Sequence, residues 1–285
     1  MIAVVDYQKG NLKSVERGLI AAGGKAFITA DASEVAKADA IVLPGVGAFA
    51  DAAATMCELG QMEVIRERVR AGVPFLGICL GEHLMFEHGV EGAPEGSPAR
   101  GLGLLPGTVA AMPRCDEQGT AFKVPHVGWN TIEVSACDGS GEAVALPPCG
   151  EGGEDAVLSS GGVGGGAARS SAAKRGLFEH GAFLDSTPQP GGDLAFPDST
   201  TQPGSELAFA CPLFDGIAPG EYFYFTHSYI APTGSHTIAE TIHSVRFTSA
   251  VQFGERAFGV QFHPEKSSDA GARVLTNFVA IAARG

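Results

Sequence analysis

The chain has 285 residues, 45% of them hydrophobic, enough to bury the core of one large domain or two modest ones. Thirty-two acidic against 19 basic residues give a formal charge of −13, which repels phosphate backbones, and no Lys/Arg cluster offsets it locally, so nucleic acid is not expected as a partner. The start, MIAVVDYQKGN, turns polar too soon for a signal-peptide core and no apolar run reaches membrane-spanning length, so a cytoplasmic protein with no membrane partner is expected.

Short apolar runs at 2–5, 26–29, 40–43 and 74–78 read as strands. Between them, 12–22 carries apolar residues at helical spacing and ends in Gly23-Gly24, and 48–71 holds two helices broken near Gly60. Strands alternating with helices predict a parallel sheet with crossover helices, the beginning of a doubly wound α/β fold. The later chain is β-rich at 124–134, 222–230, 237–253 and 257–262 before a final helix over 268–283, so the sheet is expected to gain antiparallel strands.

Composition changes between 136 and 210. That stretch holds 15 of the chain's 40 glycines, no Ile, Trp or Tyr, and ten acidic against three basic residues, too little apolar surface to build a core. It includes a tandem repeat of period 13, FLDSTPQPGGDLAF from Phe183 followed by FPDSTTQPGSELAF from Phe196, and two copies are too few for a solenoid. The reading is a single domain over 1–285 carrying an acidic, Gly/Pro/Ser-rich and mostly disordered surface insertion at 136–210.

Six cysteines, Cys57, Cys79, Cys115, Cys137, Cys149 and Cys211, show no C-x-x-C spacing, so neither a structural zinc site nor a disulfide scaffold is signalled. Cys79 alone has telling neighbours. Gly77-Ile78-Cys79-Leu80-Gly81 closes an apolar strand and opens a helical turn, the cysteine counterpart of the G-x-S-x-G elbow. Such a turn exposes sulfur at the carboxyl end of the sheet and lets the backbone N–H of Leu80 help hold an oxyanion. Standing alone, the pentapeptide reads equally well as a buried strand-end cysteine between turn glycines.

A thiolate nucleophile needs a base, and Gly259-Val260-Gln261-Phe262-His263-Pro264-Glu265 supplies one. Pro264 biases His263 toward extended backbone, where residues i and i+2 face the same way, so Glu265 can reach the imidazole and fix its tautomer. Alone, His-Pro-Glu is a common strand-end turn; with the cysteine elbow it completes a Cys79–His263–Glu265 triad.

GICLG around Cys79 and QFHPEKS from Gln261 resemble the signature of class I, triad-type glutamine amidotransferases. Pro44-Gly45-Val46-Gly47-Ala48-Phe49, Gly128-Trp129-Asn130 and His227-Ser228-Tyr229 narrow the resemblance to the glutaminase subunits of imidazole glycerol phosphate synthase, over about residues 1–135 and 211–285. The resemblance implies a flavodoxin-like, open, mostly parallel twisted sheet flanked by helices, with added antiparallel strands. It implies glutamine hydrolysis through a γ-glutamyl thioester on Cys79, no cofactor or metal, and ammonia passed through a channel to a separate (β/α)8-barrel cyclase subunit in histidine biosynthesis. By position, Val46 and Gly47 join Leu80 at the oxyanion hole; Gly45, Gly81, His83, Ser228 and Tyr229 bind substrate; and Trp129, Tyr224 and Lys266 face the cyclase. Bland readings stand beside these: Trp129 as core filling, Lys266 as a solvated lysine, His227 as a satisfied strand histidine.

The chain departs from the family pattern where Glu82-His83 replaces the usual Met or His followed by Gln, and where Val127 stands for the methionine that commonly precedes the glycine of GWN. The alternatives are the amidotransferase subunit of anthranilate or aminodeoxychorismate synthesis, which generally lacks PGVGAF and GWN, a non-catalytic relative, and a cysteine peptidase on the same sheet.

Overall fold

The computed structural model describes residues 1–134 and 211–284; the stretch read as an acidic insertion, with its repeat, lies outside the described residues. In chain order, β1 (Ile2–Val5), α1 (Leu12–Ala21), β2 (Ala26–Thr29), α2 (Ala32–Lys37), β3 (Ala40–Gly45), α3 (Phe49–Glu58), α4 (Gln61–Arg70) and β4 (Phe75–Cys79) form the expected alternation. A single helical turn, α5 (Leu80–His83), leads into β5 (Phe86–Gly89), β6 (Ala99–Arg100), β7 (Leu105–Ala111), β8 (His126–Thr131) and β9 (Glu133–Val134). After residue 210 come β10 (Tyr222–His227), β11 (Tyr229–Ile230), β12 (Thr237–Ile242), β13 (Arg246–Phe253), β14 (Ala257–Val260) and α6 (Ser268–Ala282).

The main sheet has the order β2-β1-β3-β4-β14-β13-β12-β9, parallel from β2 through β14 and antiparallel beyond it. Its first five strands follow the doubly wound order in which ligands bind beyond the carboxyl ends, beside the point where the winding reverses. β1, β3 and β4 are buried along their whole length because helices cover both faces. Alternation along β3 divides the core: Ala40 and Val42 face the layer containing α1 and α6, while Ile41 and Leu43 face the layer of α2, α3 and α4. The register aligns the site, since Gly45 of β3 lies opposite Cys79 of β4 and Val260 of β14 lies opposite Ile78. The Pro44–Gly47 loop and His263 therefore leave the sheet on either side of Cys79.

Three features differ from the linear reading. α2 was not expected; it is short, and the Asp31 side chain caps it by accepting from Ser33 N at 2.7 Å. The run at 222–230 breaks at Ser228, so that β10 pairs with β8 and β11 with β7. Finally, β5, β6, β7 and β11 form a second small sheet; β11 lies within the expected run at 222–230, whereas β5, β6 and β7, the last interrupted by Pro106 and Gly107, were not expected.

Candidate active site

Cys79 ends β4 with φ 54° and ψ −108°, a conformation that costs a non-glycine residue on the order of 1–3 kcal/mol and persists only where its surroundings impose it. The flanking glycines show how. A Cβ on Gly81 would lie 1.8 Å from the Leu43 carbonyl oxygen, and one on Gly77 would lie 2.5 Å from the carbonyl oxygen of Gly81. The chain can double back from β4 into α5 only because both positions lack side chains.

His263 follows β14 in extended backbone, and its Nδ1–H donates to Glu265 Oε1 at 3.0 Å, with both side chains buried. Asn11, at the start of α1, donates to the same carboxylate oxygen at 3.4 Å. Burial works against a charged imidazole, but the neighbouring Cys79 sulfur and Glu265 carboxylate outweigh it and push the His263 pKa up to about 10. For Glu265, burial raises the pKa, yet hydrogen bonding and charge from His263 prevail and hold it below the usual carboxylate value. Nε2 of His263, facing away from Glu265, has no hydrogen-bond partner among the described residues. The arrangement favours a protonated imidazole with Nε2 on the side away from Glu265.

A cavity of about 380 Å³ opens onto Cys79, within the range of small-molecule sites. Val46, Gly47 and Ala48 form one wall, Thr226 to Tyr229 the other, Cys79, Leu80 and His83 the floor, with Glu91 and Pro125 at the rim. Gly47 has φ 99°, so this loop runs through backbone that a side chain would oppose. The structure thus brings Cys79, His263, Val46, Gly47, Leu80, His83, Ser228 and Tyr229 together. Gly45 and Gly81, expected at the substrate, do not line the cavity: they pack behind its floor, where a Cβ on Gly45 would meet Tyr7 Oη at 2.5 Å and Leu80 Cβ at 2.7 Å.

The second wall is held by a hydrogen-bond chain that the sequence did not reveal. His227 Nδ1–H donates to the Tyr229 carbonyl at 2.9 Å, leaving Nε2 to accept from His126 Nδ1–H at 3.0 Å, while His126 Nε2 accepts from Asn130 Nδ2 at 3.3 Å. Burial keeps both rings neutral, lowering the His126 pKa to about 4 and that of His227 well below its ordinary value. His227 is therefore a satisfied strand histidine that also lines the cavity.

Outside the cavity, Trp129 and Tyr224 lie opposite each other on β8 and β10 with ring centroids 6.0 Å apart, and Lys266 Nζ sits 5.8 Å from the centroid of the Tyr224 ring. Behind its exposed neighbours, the Tyr224 backbone reaches the site: its carbonyl accepts from His263 N at 2.9 Å and its N–H donates to Ser267 Oγ at 3.0 Å.

Residues 13–133 match the family model of the CobB/CobQ-like glutamine amidotransferase domain. The imidazole glycerol phosphate synthase subunit HisH of Moorella thermoacetica is 34% identical, over 97% of this chain and 93% of that protein. The corresponding subunits of Syntrophotalea carbinolica and Rhodopirellula baltica are 31% and 33% identical over 98% of this chain, and over 98% and 96% of their own lengths. The chain belongs to the HisH family of imidazole glycerol phosphate synthase subunits. Solved structures agree on the fold: a glutamine amidotransferase superposes with a TM-score of 0.55 at 15% identity, covering 99% of this chain and 98% of its own. The PurLQS structure from Thermotoga maritima gives 0.53 at 13% identity, covering 98% and 97%. Within the HisH family this chain is a glutaminase, and no described helix is long and apolar enough to cross a membrane.

Other residues of the site also escaped the sequence reading. Asn11 and Tyr7 follow β1 and Thr226 lies in β10, in ordinary local contexts far apart in the chain, and only the folded structure gathers them.

Proposed function

We propose that Cys79, His263 and Glu265 are the triad of this glutaminase and that the ammonia they release passes to a separate cyclase subunit. The observation that carries the reading is the buried His263–Glu265 pair beside a cysteine held at positive φ over an open cavity. The Cys79 thiolate attacks the side-chain carbonyl carbon of glutamine, and the oxyanion is met by N–H groups of Leu80 and the Val46–Gly47 loop. His263 delivers its Nε2 proton to the amide nitrogen, the C–N bond breaks, and ammonia leaves a γ-glutamyl thioester. Water then attacks that carbon while His263 Nε2 takes its proton; the C–S bond breaks, glutamate departs, and the thiolate–imidazolium pair is restored. Glu265 stabilises the imidazolium at both stages. Ser228, Tyr229 and His83 face the substrate, whereas Gly45 and Gly81 serve it by close packing.

The exposed aromatic face with Trp129, Tyr224 and Lys266 suits a partner surface, and the partner is a (β/α)8-barrel cyclase that makes imidazole glycerol phosphate and an aminoimidazole carboxamide ribonucleotide in cytoplasmic histidine biosynthesis. A direct transfer matters because ammonia released into neutral water is protonated and no longer nucleophilic. The test is Cys79→Ala in the assembled complex. Glutamine-dependent synthesis should vanish while synthesis from ammonium salts continues; glutamine-dependent turnover in the variant would remove Cys79 from the mechanism.

A further inference from the structure

The sulfur of Cys79 has a side-chain neighbour besides His263. Gln261, fully buried two residues before His263, directs its Nε2–H at Cys79 Sγ at 3.7 Å, and its Oε1 lies 2.7 Å from His83 Nε2. The amide oxygen only accepts, so His83 must be the donor in that contact and carries its proton on Nε2. Burial, partly opposed by the Gln261 bond, lowers the His83 pKa to about 4, so the ring is neutral and its tautomer is set. The polarity of the chain is therefore defined from end to end: His83 Nε2–H to Gln261 Oε1, and Gln261 Nε2–H to sulfur.

We propose that Gln261 is a positioning residue that steers and stabilises the Cys79 thiolate, and that His83 acts on the sulfur through it by clamping the amide with its N–H toward the nucleophile. His83 lines the cavity and engages Gln261 through Nε2, so the same ring borders the substrate space and holds the amide. Without the clamp, an amide can turn either its N–H or its oxygen toward sulfur, and the oxygen would repel a thiolate. The pair serves the nucleophile, not the oxyanion. The inference rests on the glutaminase reading for its biological meaning, but its test does not.

Iodoacetamide alkylates a thiolate without any glutamine chemistry, and the full-length chain can be scored at Cys79 by peptide mass spectrometry, which separates it from the exposed Cys57. The titratable groups around the sulfur are Tyr7, Glu82, His83 and His263, with His227 across the cavity; Gln261→Met removes none of them, and among them only His83 loses a bond to it. Gln261→Met, close in volume and lacking a donor, should slow alkylation at pH 7 by about tenfold and move the midpoint of its pH profile upward, with an unchanged melting temperature as the folding control. His83→Leu should move the midpoint in the same direction and add little in the double variant, since both lie on one path. His83→Gln, which can still donate to Gln261, should return the profile toward wild type. An unchanged pH midpoint in Gln261→Met would overturn the proposal, as would His83→Gln behaving like His83→Leu. So would a His83→Leu variant whose only change is a raised KM for glutamine, because that marks a substrate contact and no clamp.

Discussion

The elbow at Cys79 and the outer face of β8 and β10 border the same site and are built on opposite terms. At the elbow, backbone passes within contact distance of backbone, Gly77 and Gly81 leave no room for a methyl group, and Cys79 is fixed at φ 54°. On the outer face, Val127, Trp129 and Tyr222 are more than half exposed, although β-strands of this composition elsewhere in the molecule are buried. The first region stores strain to present one atom, and its neighbours over-determine it. The second leaves apolar surface in water, the mark of a surface that a partner covers. Tyr224 belongs to both, with its ring beside Trp129 and its peptide bonded to His263 and Ser267.

The contrast can be broken first at the proposed triad. Glu265→Gln keeps the shape of the carboxylate but removes its charge, and kcat for glutamine hydrolysis should fall by roughly 10² to 10⁴. The same variant tests the His263 shift. Because the folded pKa is raised to about 10 from an ordinary value near 6.5, the stability that protonation confers is complete below about pH 6.5 and is lost as pH rises toward 10. Thermal melts of the wild type should decline across that window, and in Glu265→Gln the decline should begin at lower pH. A decline unaltered by the substitution would separate Glu265 from the shift.

Next in size is Gly81→Ala. Its methyl group would meet a backbone carbonyl that has no rotamer to escape into, and the loss of folding stability should be about 3 kcal/mol or more in urea melts. Little or no loss would show that the elbow has slack. Trp129→Ala should instead leave the melting temperature of the free chain nearly untouched and weaken cyclase binding by roughly 2 kcal/mol, measured by calorimetry. A destabilised monomer with normal binding would return Trp129 to the core. The smallest effect is expected from replacing residues 137–209 with a short Gly/Ser linker. Loop-closure entropy changes only logarithmically with length, so stability should move by about 1 to 3 kcal/mol at most while cyclase binding and glutamine-dependent synthesis persist. Loss of binding would make the repeat, with its three phenylalanines, part of the interface.

What could be read in the chain and what could not divide along the same line. Cys79 and the His263–Glu265 pair were legible because each is a local event: a cysteine flanked by Gly77 and Gly81 at the end of an apolar run, and a carboxylate two residues beyond a histidine at a strand end. The alternation of β1 to β4 with helices was legible because strands buried on both faces are written as unbroken apolar runs. Gly45 and Gly81 were legible as important but not as to why, since a glycine that touches ligand and one that touches backbone are identical in one dimension. The His126–His227 chain and the Gln261–His83 pair could not be read at all. Each joins residues more than 100 positions apart, and whether two such side chains meet depends on strand order and register. The sequence by itself determined which residues can do chemistry, through residue type and local conformation. Only the tertiary structure decided which groups orient them, because a hydrogen bond acts over about 3 Å and that distance exists only after the sheet has closed.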